Sequence, residues 1–174
     1  MDISEFLELS AGKWFSQRTI HQFDSGQLQA GKSTLIIETL KPDQASVIEL
    51  CQASQVDPAI AWGGLQSSWD GTSEGTSQKQ VGSALIVPLV DPEIPNQGQF
   101  LQARKTADGK SFQGHYHLDE EEVLTFITES DQLKVEERLW YLIPNLRLRT
   151  TVIQQTNGPT QAAFCSEIRM LGAK

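Results

Sequence analysis

The sequence predicts an all-β protein, a meander of about ten short strands closing into a barrel or a sandwich. Three observations carry this. From Lys13 onward apolar and polar residues alternate with a period of two over most of the chain. Turn-forming pairs recur between the alternating runs: Asp70-Gly71, Asp91-Pro92, Pro95-Asn96, Asp108-Gly109, Pro144-Asn145 and Asn157-Gly158. After Pro58 no stretch keeps a helical period for more than a turn, so the crossover helices of a parallel sheet are missing.

Taken in order, residues 1–12 read as a short helix in which Ser4 caps a turn carrying Phe6, Leu7 and Leu9, and Gly12 ends it. A strand follows in which Trp14, Ser16, Arg18 and Ile20 alternate with Phe15, Gln17, Thr19 and His21. A second strand, rich in Leu and Ile, spans 33–40. Pro42-Asp43 opens the one internal helix, with Asp43 as its cap and Val47, Ile48, Leu50 and Cys51 as its apolar stripe. Further strands are expected at 60–70, 80–90, 99–105, 111–118, 122–128, 133–142, 146–154 and 161–170. No repeat, low-complexity tract or linker interrupts them, so residues 1–174 are expected to be one domain.

Composition narrows the function classes. Apolar residues make up 39% of 174, enough for a core without disulfide or metal staples. Lys plus Arg number 14 against 22 acids, a net charge of −8 that argues against nucleic acid as a partner. No apolar run is long enough to span a bilayer as a helix. Met1-Asp2-Ile3-Ser4-Glu5 has neither a basic nor an apolar leader region, so a soluble intracellular protein is expected. Cys51 and Cys165 form no disulfide framework and no C-x-x-C pair.

His115-Tyr116-His117 places two imidazoles on one strand face, with Gly109 upstream and Glu121 and Glu122 downstream. This resembles the first half of the cupin motif. The second half requires a further histidine downstream, and the chain's third histidine is His21, so no metal is expected. No phosphate loop and no G-x-S-x-G are present, and Gly63-Gly64 marks a bulge in a strand.

A third constellation surrounds the Pro144-Asn145 turn. Arg147, Arg149 and Thr151 share one strand face, and Leu146, Leu148, Thr150 and Val152 share the other. On the last strand Cys165, Glu167 and Arg169 oppose Phe164, Ile168 and Met170. Two arrangements are open. The charges face solvent over a leucine-filled interior, or they line a pocket wide enough for one small anionic ligand, with Trp14, Trp62, Trp69 and Trp140 on the strands to pack against it. One residue of register decides between them.

Gly12-Lys13-Trp14 resembles the G-x-W start of lipocalin-like barrels. The longer run Phe6…Ser10-Ala11-Gly12-Lys13-Trp14-Phe15-Ser16-Gln17-Arg18-Thr19-Ile20-His21 resembles the opening of the S-type phycobiliprotein lyases, the CpcS/CpeS family. So do Glu137-Arg138-Leu139-Trp140-Tyr141, Pro144-Asn145-Leu146-Arg147-Leu148-Arg149-Thr150 and the closing Phe164-Cys165-Ser166-Glu167-Ile168-Arg169. The resemblance covers essentially the whole chain.

That resemblance implies a closed, lipocalin-like antiparallel β-barrel with a short N-terminal and one internal helix. It implies a lyase that binds a linear tetrapyrrole of the phycocyanobilin type. The lyase promotes thioether attachment of this bilin to a cysteine of a phycobiliprotein α or β subunit. The bilin would be a transient substrate, with no permanent cofactor. The pocket residues implied are Arg18, Trp69, Arg147, Arg149, Thr151 and Glu167, together with Glu136 or Glu137. The setting would be the cyanobacterial cytosol or the plastid stroma. Some relatives need a partner lyase, and an outward face of Leu146, Leu148 and Val152 suits a dimer. The alternative on the same barrel is a non-enzymatic carrier of a carboxylated hydrophobe such as a fatty acid.

Overall fold

The computed structural model describes residues 1–75, 79–104 and 111–170. Helix α1 (Ile3–Ser10) leads into β1 (Gly12–Gln22) and β2 (Gln27–Leu40), followed by α2 (Ala45–Ala53) and a 3-10 turn at Pro58–Ile60. Then come β3 (Gly64–Ser73), β4 (Lys79–Leu89), β5 (Gln97–Arg104), β6 (Ser111–Leu118) and β7 (Leu124–Glu129). Last are β8 (Leu133–Ile143), β9 (Leu146–Gln155) and β10 (Thr160–Arg169). Every strand pairs antiparallel with the next, and β10 returns to β1, so the ten strands close into a barrel. The barrel, rather than the sandwich, is the fold.

Several boundaries differ from the sequence-based expectation. Strand β2 begins at Gln27, six residues early, because its first third, which lacks an apolar inward series, is held by pairing with β1 as far as Gln22↔Gln27. Strand β3 begins only at Gly64, since Pro58 starts the 3-10 turn and Ala61 makes a lone bridge to Leu89. Trp62 therefore lies outside the strands, its indole N–H donating to Ser4 Oγ. Asp2, not Ser4, caps α1, through a capping box with Glu5. Gln44 precedes α2 in place of Asp43, with no side-chain cap.

Two apolar clusters position the interior. Helix α1 plugs one end of the barrel, where Ile3, Phe6 and Leu7 pack with Phe100, Tyr116, Leu124, Phe126 and Leu139. Helix α2 lies outside, its Val47, Leu50 and Cys51 covering Leu85, Val87, Leu89 and Leu101.

The plug is tied down through Trp14. Its indole N–H donates to Ser10 O at 3.0 Å. The ring is held between two guanidinium groups, Arg169 at 4.1 Å and Arg147 at 5.1 Å from its centroid. Arg169 also donates to the carbonyls of Leu9 and Ala11, which end α1. Gly12 sits at φ +135°, and a Cβ there would meet Arg169 Nη1 at 2.6 Å. The Gly12-Lys13-Trp14 run is thus the joint between helix and barrel.

His115 and His117 alternate with buried Gly114, Tyr116 and Leu118, so both imidazoles are exposed on the outer surface. Among the described residues no three His, Cys, Asp or Glu side chains are grouped to hold a metal ion.

Candidate functional site

The barrel encloses a cavity of about 300 Å³. Its floor is Phe6, Leu7 and Ser10 of α1, and its lining runs to Ile153 and Gln161 at the opposite end of the strands. The two sides differ in chemistry. Leu35, Ile37, Leu65, Ala84, Ile86 and Phe126 make the wall on β2–β7 mainly apolar, with Ser33, Ser67, Gln80 and Gln102 set among them. Arg18, Glu137, Arg147, Arg149, Thr151 and Cys165 line the side made by β8, β9, β10 and β1.

The charged face points inward because of one irregularity. Tyr141 pairs with Arg147 while Ile143 pairs with Leu146, so β8 carries one extra residue, Leu142, beside the Pro144-Asn145 turn. This bulge brings Glu137, Leu139 and Tyr141 onto the same face as Thr151, Arg149 and Arg147. Leu146, Leu148, Thr150 and Val152 consequently face out. The arrangement with charges in solvent and leucines inside is overturned.

Glu167 is the centre of the wall, with its side chain fully buried. Arg147, itself 3% exposed, donates from Nε at 2.7 Å and approaches with Nη2 at 2.6 Å, both to Oε2. Arg149 Nη2 lies 3.0 Å from Oε1. Burial alone would push the Glu167 carboxyl up, but Arg149, Arg147 and the Arg147 hydrogen bond outweigh it and hold it below the ordinary value. Arg149 likewise stays charged: Glu167 and Glu137 more than offset its burial.

Glu137 is the more open carboxylate, its side chain 25% exposed. Thr151 Oγ1 donates to its Oε2 at 3.1 Å, and Arg149 Nη1 stands 3.8 Å from the same atom. The Arg149 Nε is buried without a hydrogen-bond partner. Arg18 donates to Gln80 Oε1 at 2.6 Å, and Gln80 donates in turn to Ser73 Oγ at 2.7 Å. Among the described residues no carboxylate forms an ion pair with Arg18. Cys165 follows Arg149 in register, 3.7 Å from its Nη2, and burial raises its thiol pKa against the opposing pull of that guanidinium.

The structure therefore brings together Arg18, Trp69, Glu137, Arg147, Arg149, Thr151 and Glu167. Glu136 is not among them: it pairs with outward Val152 and shares its face with exposed Arg138. Of the four tryptophans only Trp69 lines the cavity, for Trp14 is sealed below it, Trp62 binds Ser4 and Trp140 pairs with outward Leu148. Gln80 was missed by sequence reasoning, although the inward series Gln80, Gly82, Ala84, Ile86 on β4 carries it.

Three comparisons bear on identity. A family model described as "CpeS-like protein" matches residues 2–170. "Chromophore lyase CpcS/CpeS 1" of Trichodesmium erythraeum is 47% identical, over 97% of this chain and 98% of its own. "Phycocyanobilin lyase subunit CpcS" of Picosynechococcus is 34% identical, over 97% of this chain and 86% of its own. Among solved structures, the S-type phycobiliprotein lyase CPES of Guillardia theta superposes with a TM-score of 0.86 at 27% identity, covering 99% of this chain and 95% of that one. The closed barrel and the length of these matches agree, and the chain belongs to the CpeS-like family.

Proposed function

We propose that this chain is a chromophore lyase that takes a linear tetrapyrrole into its barrel and presents it to a cysteine of a phycobiliprotein subunit. The observation that carries the reading is the two-sided cavity: three guanidinium groups against two carboxylates on one wall, and on the other a mainly apolar lining of Leu35, Ile37, Leu65, Ala84, Ile86 and Phe126 interspersed with Ser33, Ser67 and Gln102. Such a space suits a flat conjugated molecule bearing two propionates.

The residues divide into ligand contacts and braces. Glu167 is ion-paired through both oxygens, with Arg147 hydrogen-bonded to Oε2 and Arg149 3.0 Å from Oε1, and Arg147 is closed in by Glu167 and Trp14. These two brace the wall. Arg18, which among the described residues bonds a neutral amide and no carboxylate, and Arg149, with a donor to spare, are the propionate contacts. Glu137, steered by Thr151, accepts from pyrrole N–H groups and favours the protonated bilin. Trp69 packs on a ring and keeps water from it.

In the reaction the acceptor S–H adds across the exocyclic ethylidene of the bilin. A C–S bond forms, the C=C becomes C–C, and the thiol proton ends on the adjacent ring carbon, with no leaving group. The protein supplies position and protection of the electrophile. Because the product stays on the acceptor, the bilin is a substrate that leaves each turnover. The acceptors place the reaction in a cyanobacterial cytosol or a plastid stroma. Exposed Leu142, Ile143, Phe164, Ile168 and Met170 give a partner lyase or second copy an apolar surface on which to seat.

The test is twofold. Phycocyanobilin mixed with the protein is expected to shift and sharpen its absorption at micromolar concentration. An acceptor subunit added next should gain an acid-stable, zinc-fluorescent adduct. No spectral change overturns the reading, and binding without transfer leaves a carrier of carboxylated hydrophobes.

A further inference from the structure

Trp69 is the one aromatic side chain of β3 that lines the cavity, and its place depends on a residue with no side chain. In the β3–β4 register Trp69 stands opposite Gly82, and in the β2–β3 register opposite Leu35. A Cβ at Gly82 would lie 2.4 Å from Trp69 Cζ2, 2.7 Å from Cε2 and 3.1 Å from Nε1. The Nε1–Cζ2 edge of the indole therefore rests on the bare backbone of β4. Gly82 is not among the residues with positive φ, so the backbone conformation does not demand glycine there. Space does.

On its β2 flank the ring is packed. Leu35 flanks Trp69 on β2, and the buried Trp14, Leu35 and Ile37 cluster packs against it. A side chain at position 82 would press the indole off β4, and with the β2 flank packed the cavity that Trp69 lines is the space open to it. We propose that Gly82 is a positioning residue that sets the bore of the ligand cavity by letting Trp69 lie flat against the wall. The consequence for the ligand rests on the bilin reading above; the coupling between positions 82 and 69 does not.

The experiment is a double-mutant cycle on the full chain with Gly82→Ala, Trp69→Phe and the pair. Two probes are titrated, phycocyanobilin and 8-anilinonaphthalene-1-sulfonate, and thermal melting is followed in parallel. Gly82→Ala is expected to weaken both by about tenfold, since an overpacked wall narrows the bore. Phenylalanine lacks the ring edge that meets the new methyl. The double variant should therefore return to within about threefold of Trp69→Phe alone, an interaction of the size neighbouring residues show.

Wild-type affinity in Gly82→Ala overturns the proposal, as does a double variant as weak as Gly82→Ala. If Gly82→Ala fails to fold, a double variant that folds and binds supports the coupling, and one that also fails overturns it. Wild-type protein that binds the sulfonate but not the bilin sinks the bilin reading alone, and the cycle is then read from the sulfonate. Wild-type protein that binds neither sinks both.

Discussion

Glu167 shows how one residue organises a site without meeting the ligand. A carboxylate with no solvent exposure is costly unless it is paired, and here Arg147 hydrogen-bonds Oε2 while Arg149 stands as an ion-pair partner 3.0 Å from Oε1, which accepts no hydrogen bond. The carboxyl is held below its ordinary value of 4.5, so its ionisation contributes stability at neutral pH. That contribution is complete above about 4.5 and is lost as pH falls through the depressed folded-state value. Glu167→Gln removes the charge, strands the buried guanidinium of Arg147 and leaves Arg149 with Glu137 alone as an acidic partner among the described residues. It should cost about 3–5 kcal/mol at pH 7, the usual result of breaking a buried pair from one side. The difference in melting temperature between wild type and variant should shrink as the pH is lowered from 5 toward 3, in matched thermal melts. A difference that stays constant over that range would show that Glu167 is not ionised in the fold. Cys165 makes the complementary point: it faces the cavity, yet burial keeps its thiol protonated, which suits a protein whose nucleophile arrives on a partner.

Among the elements, β8 and β9 carry the decision. Alternation along Leu146–Gln155 separates arginines from leucines, but periodicity alone does not say which set faces in. The answer lies in the bulge at Leu142, a single unpaired residue that no composition rule marks. For that reason Glu136 and Glu137 were indistinguishable in the sequence, while the structure separates them to opposite faces. Glu137→Gln should weaken bilin binding about tenfold or more, the worth of a hydrogen bond to a charged group. Glu136→Gln should leave it unchanged. Equal losses from the two, measured by absorption titration, would mean the bulge lies elsewhere. The other strands were legible because half-buried walls enforce alternation and tight loops need Gly, Pro, Asn and Asp. The first third of β2 was not, since the face of Gln27, Gln29 and Gly31 that continues the inward Leu35 and Ile37 carries no apolar side chain, Leu28 lies exposed on the other face, and the stretch owes its strand form to its neighbours. Gly82 was invisible for a similar reason: its meaning is a cross-strand contact with Trp69, and glycine in a strand reads only as weak propensity.

For the molecule as a whole, closure is the governing fact. Pairing of β1 with β10 leaves the ten-strand sheet without a free edge, and α1 plugs one end, so the cavity lies inside the main cooperative unit. Net charge and site charge also separate: the chain is −8 overall, while its interior wall holds three arginines against two glutamates. A ligand held there cannot be released without opening the barrel or leaving through its mouth, so binding must raise the stability of the global fold. At free bilin one hundred times its dissociation constant the gain is about 2.7 kcal/mol. For a chain of this length each kcal/mol moves the midpoint by about 2–4 °C, so melting should rise by about 5–10 °C. The contacts responsible are enclosed, and salt screens enclosed pairs far less than surface ones. The shift should therefore survive 1 M sodium chloride at the same degree of saturation. Calorimetry with and without phycocyanobilin at low and high salt checks both statements. A midpoint that ignores the bilin would show that the folded chain does not bind it, and a shift that vanishes in salt would place the ligand on the exterior and not within the barrel.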